Sequence, residues 1–111
     1  MGKKTNVLLI VADDMGYGDL GVFSEGRVRT PNLDRLVAEG VCMQQHYSGS
    51  PICSPARAAL LTGRYPHRTG AVGQFEIYGL DRIALREVTI ADMFKNAGYA
   101  TGLVGKWHNG A

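Results

Sequence analysis

Apolar and polar positions follow different rhythms along this chain, and each rhythm predicts an element. Asn6-Val7-Leu8-Leu9-Ile10-Val11-Ala12 is a short, continuous apolar run that stops at two carboxylates, the pattern of a central strand buried on both faces. Leu33, Leu36 and Val37 fall at i, i+3 and i+4 between Thr30-Pro31 and Gly40. That spacing predicts a short amphipathic helix with Thr30 as N-cap and Pro31 as its first residue. Pro55 suits the first turn of a helix running through Ala58, Ala59, Leu60 and Leu61 to Gly63, so residue 53 stands at its amino terminus. Ile90, Met93, Phe94 and Ala97 line one face of a further helix; Thr89-Ile90-Ala91-Asp92 opens it as a capping box and Gly98 closes it. Residues 99–105 read as another strand. Residues 41–47 read as a strand whose polar Gln44, Gln45 and His46 suit a sheet edge or a strand end at a site. Residues 65–87 read as loop, with a short strand around 75–78.

Strands alternating with helices, and 15 glycines set mostly beside apolar runs, place the chain in the α/β class. Its 111 residues are the length of one small domain. Twelve basic and ten acidic residues leave a net charge of +2 with no basic stripe, so neither nucleic acid nor an anionic membrane is indicated as a partner. No apolar stretch approaches the ~20 residues of a membrane span, and residues 7–12 are too short for a signal-peptide core. Cys42 and Cys53 show no CxxC spacing and no matching histidine pair, which argues against structural zinc. Within Val41-Cys42-Met43, Cys42 reads as a buried small apolar residue.

Three groups of polar residues follow, or lie next to, predicted strand ends: Asp13 with Asp14, Cys53 with Arg57, and Lys106 with His108. In open α/β sheets ligands bind beyond the carboxyl ends of strands, where Asp13 and Asp14 stand. Adjacent carboxylates that both stay ionised at a buried strand end call for a cation, and hard oxygen donors favour Ca²⁺ or Mg²⁺. Taken alone, the pair also fits a solvated turn. Four positions separate Cys53 from Arg57, so both lie on one helix face, and first-turn N–H groups add positive potential there. An oxyanion is drawn to such a place; a core cysteine near a surface arginine is the plainer alternative. Lys106 and His108 are i and i+2, so an extended chain turns both to one side. Arg64 suits a structural pairing with a carboxylate. His46 and His67 match no pattern and are assigned no chemistry.

Cys53-Ser54-Pro55-Ala56-Arg57 followed by Leu61-Thr62-Gly63-Arg64 resembles the signature of the type I sulfatases, in which this cysteine is oxidised to formylglycine. Three further stretches resemble the same family, in its order. They are Ile10-Val11-Ala12-Asp13-Asp14-Met15-Gly16-Tyr17-Gly18-Asp19-Leu20-Gly21, Thr30-Pro31-Asn32-Leu33-Asp34-Arg35-Leu36, and Gly105-Lys106-Trp107-His108. The arylsulfatase or N-acetylgalactosamine-6-sulfatase type is the most similar. The resemblance implies that residues 1–111 are the amino-terminal, incomplete part of a catalytic domain, a truncated alkaline-phosphatase-like α/β/α sandwich with a mostly parallel sheet. It implies Asp13, Asp14 and residue 53 as ligands of a divalent cation, Ca²⁺ or Mg²⁺. It implies Cys53, Arg57, Lys106 and His108 as catalytic residues. The formylglycine hydrate attacks sulfur, and its second hydroxyl lets sulfate leave by elimination. Arg57 fixes residue 53, Lys106 holds a sulfate oxygen and His108 assists deprotonation. The implied partners are an aryl or carbohydrate sulfate ester and a formylglycine-generating or maturase enzyme, in an exported or lysosomal setting.

The chain departs from the family in three ways. Sulfatases are several times longer, and their Asp-Asn metal pair, leaving-group histidine and second sulfate-binding lysine lie downstream of this region. The sheet would lack central neighbours, leaving unpaired edges and an uncovered apolar face. Where the family continues Leu-Gly after the histidine, Asn109-Gly110-Ala111 follows here, which reads as a frameshift, a premature stop or a gene-model boundary. The readings are therefore a sulfatase fragment, a related phosphate or phosphonate ester hydrolase, and an inactive remnant. The intact Cys-Ser-Pro-Ala-Arg run disfavours the second.

Overall fold

Proline and glycine punctuate the helices where the pattern places them. The computed structural model describes residues 4–73 and 82–110, and the chain forms two compact units, Met1–Gln45 and His46–Ala111.

In the first unit, α1 (Pro31–Glu39) begins at the proline and ends at Gly40. Thr30 occupies the N-cap position, but its hydroxyl does not cap the helix. It accepts from the Gly21 N–H at 2.7 Å and donates to Asp34 Oδ1 at 2.7 Å, and that oxygen also accepts from the Val22 N–H at 3.2 Å. Thr30 and Asp34 thereby tie the 3₁₀ turn Gly21–Phe23 to the start of α1. Gly21 is required there, because a Cβ would stand 2.9 Å from Asp34 Oδ1. Ahead of it lies a second 3₁₀ turn, Tyr17–Asp19, and Tyr17 stacks on Phe23 with ring centroids 4.3 Å apart. Buried Ser24 closes the loop by accepting from the Val28 N–H at 3.0 Å.

The second unit is built on α2 (Cys53–Thr62), which buries Ser54, Pro55 and Ala58. Gly63 ends it in the left-handed conformation, φ 66°, its N–H donating to the Ala59 carbonyl, the helix stop that glycine makes at no Cβ cost. The packing is between small groups. A Cβ on Gly49 would stand 2.6 Å from the Ala59 Cβ, and buried Thr69 donates to the Pro66 carbonyl while its own carbonyl accepts from the Ala84 N–H at 2.8 Å. Thr69 belongs to α3 (Pro66–Thr69), a short helix inside the stretch read as loop. Its signal was present: proline at the first helical position and Gly70 just past the end.

α4 (Ile90–Asn96) carries the expected capping box: Thr89 Oγ1 accepts from the Asp92 N–H, and the Asp92 carboxylate accepts from the Thr89 N–H at 2.9 Å. The Thr89 hydroxyl, then the Thr89 N–H, hold the Asp92 carboxyl below its ordinary value. A depressed carboxyl contributes stability above its unfolded pKa that is lost as pH falls through the folded one. Thr89→Ala is therefore expected to lower stability at neutral pH through loss of the cap, with the gap to wild type narrowing in acid below the ordinary Asp range. Thermal denaturation of both proteins across pH 2–7 checks this.

The expected sheet is not seen: among the described residues no strand ladder forms. Residues 7–11 are not a strand buried on both faces, since Leu8 is 84 % exposed and Ile10 78 %. Residues 41–47 and 99–105 likewise take no strand conformation in a ladder, and the strand read at 75–78 lies outside the described residues. A local apolar run favours an extended chain, but a ladder needs a neighbour remote in sequence. α1 likewise leaves Leu33 and Leu36 exposed. Cys42 is exposed as well, because no element covers the irregular segment after α1.

Candidate active site around the start of α2

Cys53 is the first residue of α2, a half-buried free thiol. The N-cap is Ile52, whose side chain offers no acceptor to the first-turn N–H groups, so the helix end retains its positive potential. Beneath Cys53, Ser54 and Pro55 are fully buried and anchor that turn. Residue 53 is thus held on a fixed backbone.

Arg57, one turn along, does not simply face residue 53 as the spacing suggested. Its Nη1 donates to the Lys106 carbonyl at 2.7 Å, joining positions 49 apart in sequence. The guanidinium therefore adds positive charge near the helix start and anchors the Gly105-Lys106-Trp107-His108 segment on α2. That segment is not an extended i, i+2 pair. Gly105 has φ 111° and His108 φ 53°, so the chain turns at both ends of the motif. Beyond it, buried Asn109 donates from Nδ2 to the Trp107 carbonyl at 3.1 Å and closes the turn around half-buried His108. Asn109, the first residue of that departure from the pattern, thus has a packing role.

Asp13 and Asp14 lie in the first unit, both exposed, with Asp14 at φ 57°. Asp14, Glu25 and His108 are the described non-glycine residues with positive φ. Two of the three are candidate site residues, and backbone held in sparsely populated regions clusters at functional sites. Adjacent carboxylates are hard oxygen donors of the kind Ca²⁺ and Mg²⁺ take.

Glu87 went unnoticed in the sequence. Its side chain is 1 % exposed, and Arg64 Nη1 lies 3.1 Å and 2.8 Å from its two oxygens. Arg64 thus has the structural carboxylate partner its pattern suggested. Nothing in the chain's periodicity could single out Glu87, which precedes the α4 cap as one more charged loop residue. An open apolar groove of about 470 Å³ lies between α2 and α4, lined by Leu60, Leu61, Met93, Phe94 and Tyr99. It sits at the carboxyl end of α2 and away from Cys53, and it offers little to orient a charged ester. No described helix is long and apolar enough to cross a membrane.

Residues 5–111 match the family model described as Sulfatase. The chain is 50 % identical to Mus musculus steryl-sulfatase over 97 % of its own length and 18 % of that protein. It is 49 % identical to Sus scrofa N-acetylgalactosamine-6-sulfatase, over 97 % of its length and 22 % of the relative's. Against Homo sapiens arylsulfatase D the identity is 46 %, over 96 % and 19 %. The chain therefore spans about a fifth of the length of these curated relatives.

Proposed function

Because the chain belongs to the sulfatase family, whose fold is alkaline-phosphatase-like, we propose that it carries the nucleophile-bearing part of a sulfuric ester hydrolase. The observation that carries this reading is Cys53 opening α2 with Arg57 one turn on, bonded to the backbone of Lys106. Residues 6–12 and 99–105 belong, in this reading, to a mostly parallel sheet of an α/β/α sandwich, and residues 1–111 to the amino-terminal part of the catalytic domain.

The start of α2 and Arg57 draw the anionic sulfate ester toward residue 53. Lys106 donates to a non-bridging sulfate oxygen and offsets the charge of the transferring sulfuryl group. His108 takes and returns a proton at the nucleophile. Arg57 keeps both in place by its bond to the Lys106 carbonyl. Formylglycine, formed from Cys53 by a maturation enzyme, supplies a hydrated aldehyde as nucleophile. Asp13 and Asp14 hold a divalent cation, Ca²⁺ or Mg²⁺; their hard carboxylate oxygens suit it. When bound, the cation supplies Lewis acidity that favours ionisation of a hydroxyl on residue 53. The relatives' names suggest an aryl, steryl or carbohydrate sulfate as substrate.

The alternative reading is a non-catalytic remnant of the family. Both are tested by producing this chain, and the longest open reading frame containing it, with a formylglycine-generating enzyme. Peptide mass spectrometry then reads residue 53, and an aryl sulfate assayed with and without Ca²⁺ reads turnover. We expect aldehyde at residue 53 in both products, little turnover by the 111-residue chain, and metal-dependent turnover by the longer one. An unmodified thiol at residue 53 in both would remove the basis of the sulfatase reading. Aldehyde without turnover in the longer product would favour the remnant.

A further inference from the structure

We propose that Glu87 is a positioning residue for the reaction: paired with Arg64, it holds the passage that delivers Lys106 and His108 to the helix bearing residue 53. The inference rests on the sulfatase reading. Its geometry lies wholly within the second unit.

Arg64 follows Gly63, directly past the end of α2, and Nη1 reaches both oxygens of Glu87, 23 positions on. The Glu87 side chain is 1 % exposed whereas that of Arg64 is 49 % exposed, so the carboxylate is the desolvated partner and depends on the guanidinium for compensation. Arg86 Nε is 3.7 Å from Glu87 Oε1 but its side chain is 74 % exposed, too distant and too hydrated to replace Arg64. The Glu87 N–H donates to the Ala84 carbonyl at 2.9 Å, and the Ala84 N–H donates to the Thr69 carbonyl. The carboxylate is therefore presented from a loop tied by hydrogen bonds to α3.

Thr89 caps α4 two residues later. From α4 the chain turns at Gly98, φ 79°, with the Tyr99 N–H donating to Phe94 O at 3.0 Å and the two rings in edge contact at 5.0 Å. It then runs to Lys106, whose carbonyl is held by Arg57. The passage from 87 to 106 is thus anchored to the middle of α2 by Arg57 and just past its carboxyl end by Arg64. Arg57 fixes its exit beside residue 53, and Arg64 with Glu87 fixes its entry. Loosening the entry lets α4 shift, and that shift reaches Lys106 and His108 through a short connection. Errors of about 1 Å in catalytic groups cost up to roughly 10²-fold in rate.

The test uses the complete sulfatase containing this chain, in wild-type, Glu87→Gln, Arg64→Lys and Arg86→Ala forms. Glu87 lies outside both signature runs, so aldehyde content at residue 53 of Glu87→Gln is expected to equal wild type by peptide mass spectrometry. Normalised to aldehyde, its kcat is expected to fall about tenfold with KM changed less than threefold, because the displaced groups act on the transition state. Backbone amide exchange at 105–109 is expected to accelerate while that of 56–62 holds. Arg64→Lys keeps the charge without the planar fork and is expected to fall between; Arg86→Ala is expected to match wild type. A Glu87→Gln protein with lower thermal stability but unchanged kcat per aldehyde and unchanged exchange at 105–109 would overturn the proposal, leaving a merely stabilising pair. Should Glu87→Gln fail to fold, Arg64→Lys supplies the same two readouts and decides by the same outcomes. Wild-type enzyme with full aldehyde content and no activity on any sulfate ester would instead defeat the sulfatase reading, while amide exchange still reports on the clamp.

Discussion

Replacing Cys53 with serine is expected to leave an enzyme that reacts once and stops. A serine hydroxyl at the head of α2 keeps the helix field and Arg57, so it can attack sulfur and release the alcohol. The sulfate ester it forms has no second hydroxyl on the same carbon, and the elimination that frees sulfate is lost. Steady-state turnover is expected to fall by at least about 10³-fold, with a burst of one alcohol per protein in rapid-quench assays and sulfate retained on the residue-53 peptide. Stability should change little, because Cys53 is only half-buried at the first position of α2, while the packing beneath it comes from Ser54, Pro55 and Ala58. Serine is also well tolerated at helix starts. Continued multiple turnover by Cys53→Ser would show that the chemistry does not need the aldehyde.

Asp14→Asn is expected to have an effect of similar size for a different reason. Asparagine tolerates the left-handed region as aspartate does, so the φ of 57° at this position is kept while a negative oxygen donor is lost. Activity is expected to drop by about 10²–10³-fold, partly recoverable at high Ca²⁺. Wild type should gain about 2.7 kcal/mol of apparent stability at a hundred times the cation's Kd, a gain the variant lacks at the same concentration. Asp14→Ala loses the same ligand and also carries the left-handed penalty, so its cation-free protein should be the less stable of the two. Differential scanning calorimetry with and without Ca²⁺ separates the two contributions. An Asp14→Asn protein with wild-type activity and a wild-type response to Ca²⁺ would exclude these carboxylates as the cation's ligands.

Local rules were enough for the parts of this chain that are local. Gly63 as a helix stop, the Thr89–Asp92 capping box and residue 53 at a helix head all follow from contacts within a few positions. α3 could have been read the same way from Pro66 and Gly70. Where a side chain had a choice of partners, the sequence was less informative. Thr30 was expected to cap α1 and instead joins Asp34 in holding the Gly21 turn. A hydroxyl bonds wherever a donor is nearest, and Gly21 comes near only in the folded loop. The strands were the least legible: the apolar runs are plain in the sequence, but a ladder is a property of two segments, and none forms among the described residues.

The motifs that assign this chain to the sulfatases, and the residue types they place in chemical roles, were readable in one dimension, because side-chain chemistry belongs to the residue itself. Tertiary structure alone decided that Arg57 grips the backbone of Lys106, that the chain turns at Gly105 and His108, and that a carboxylate as unremarkable in sequence as Glu87 is buried against Arg64. Those contacts join positions 23 and 49 apart. No periodicity encodes such pairings; they arise when packing brings the elements together and removes water from the groups between them.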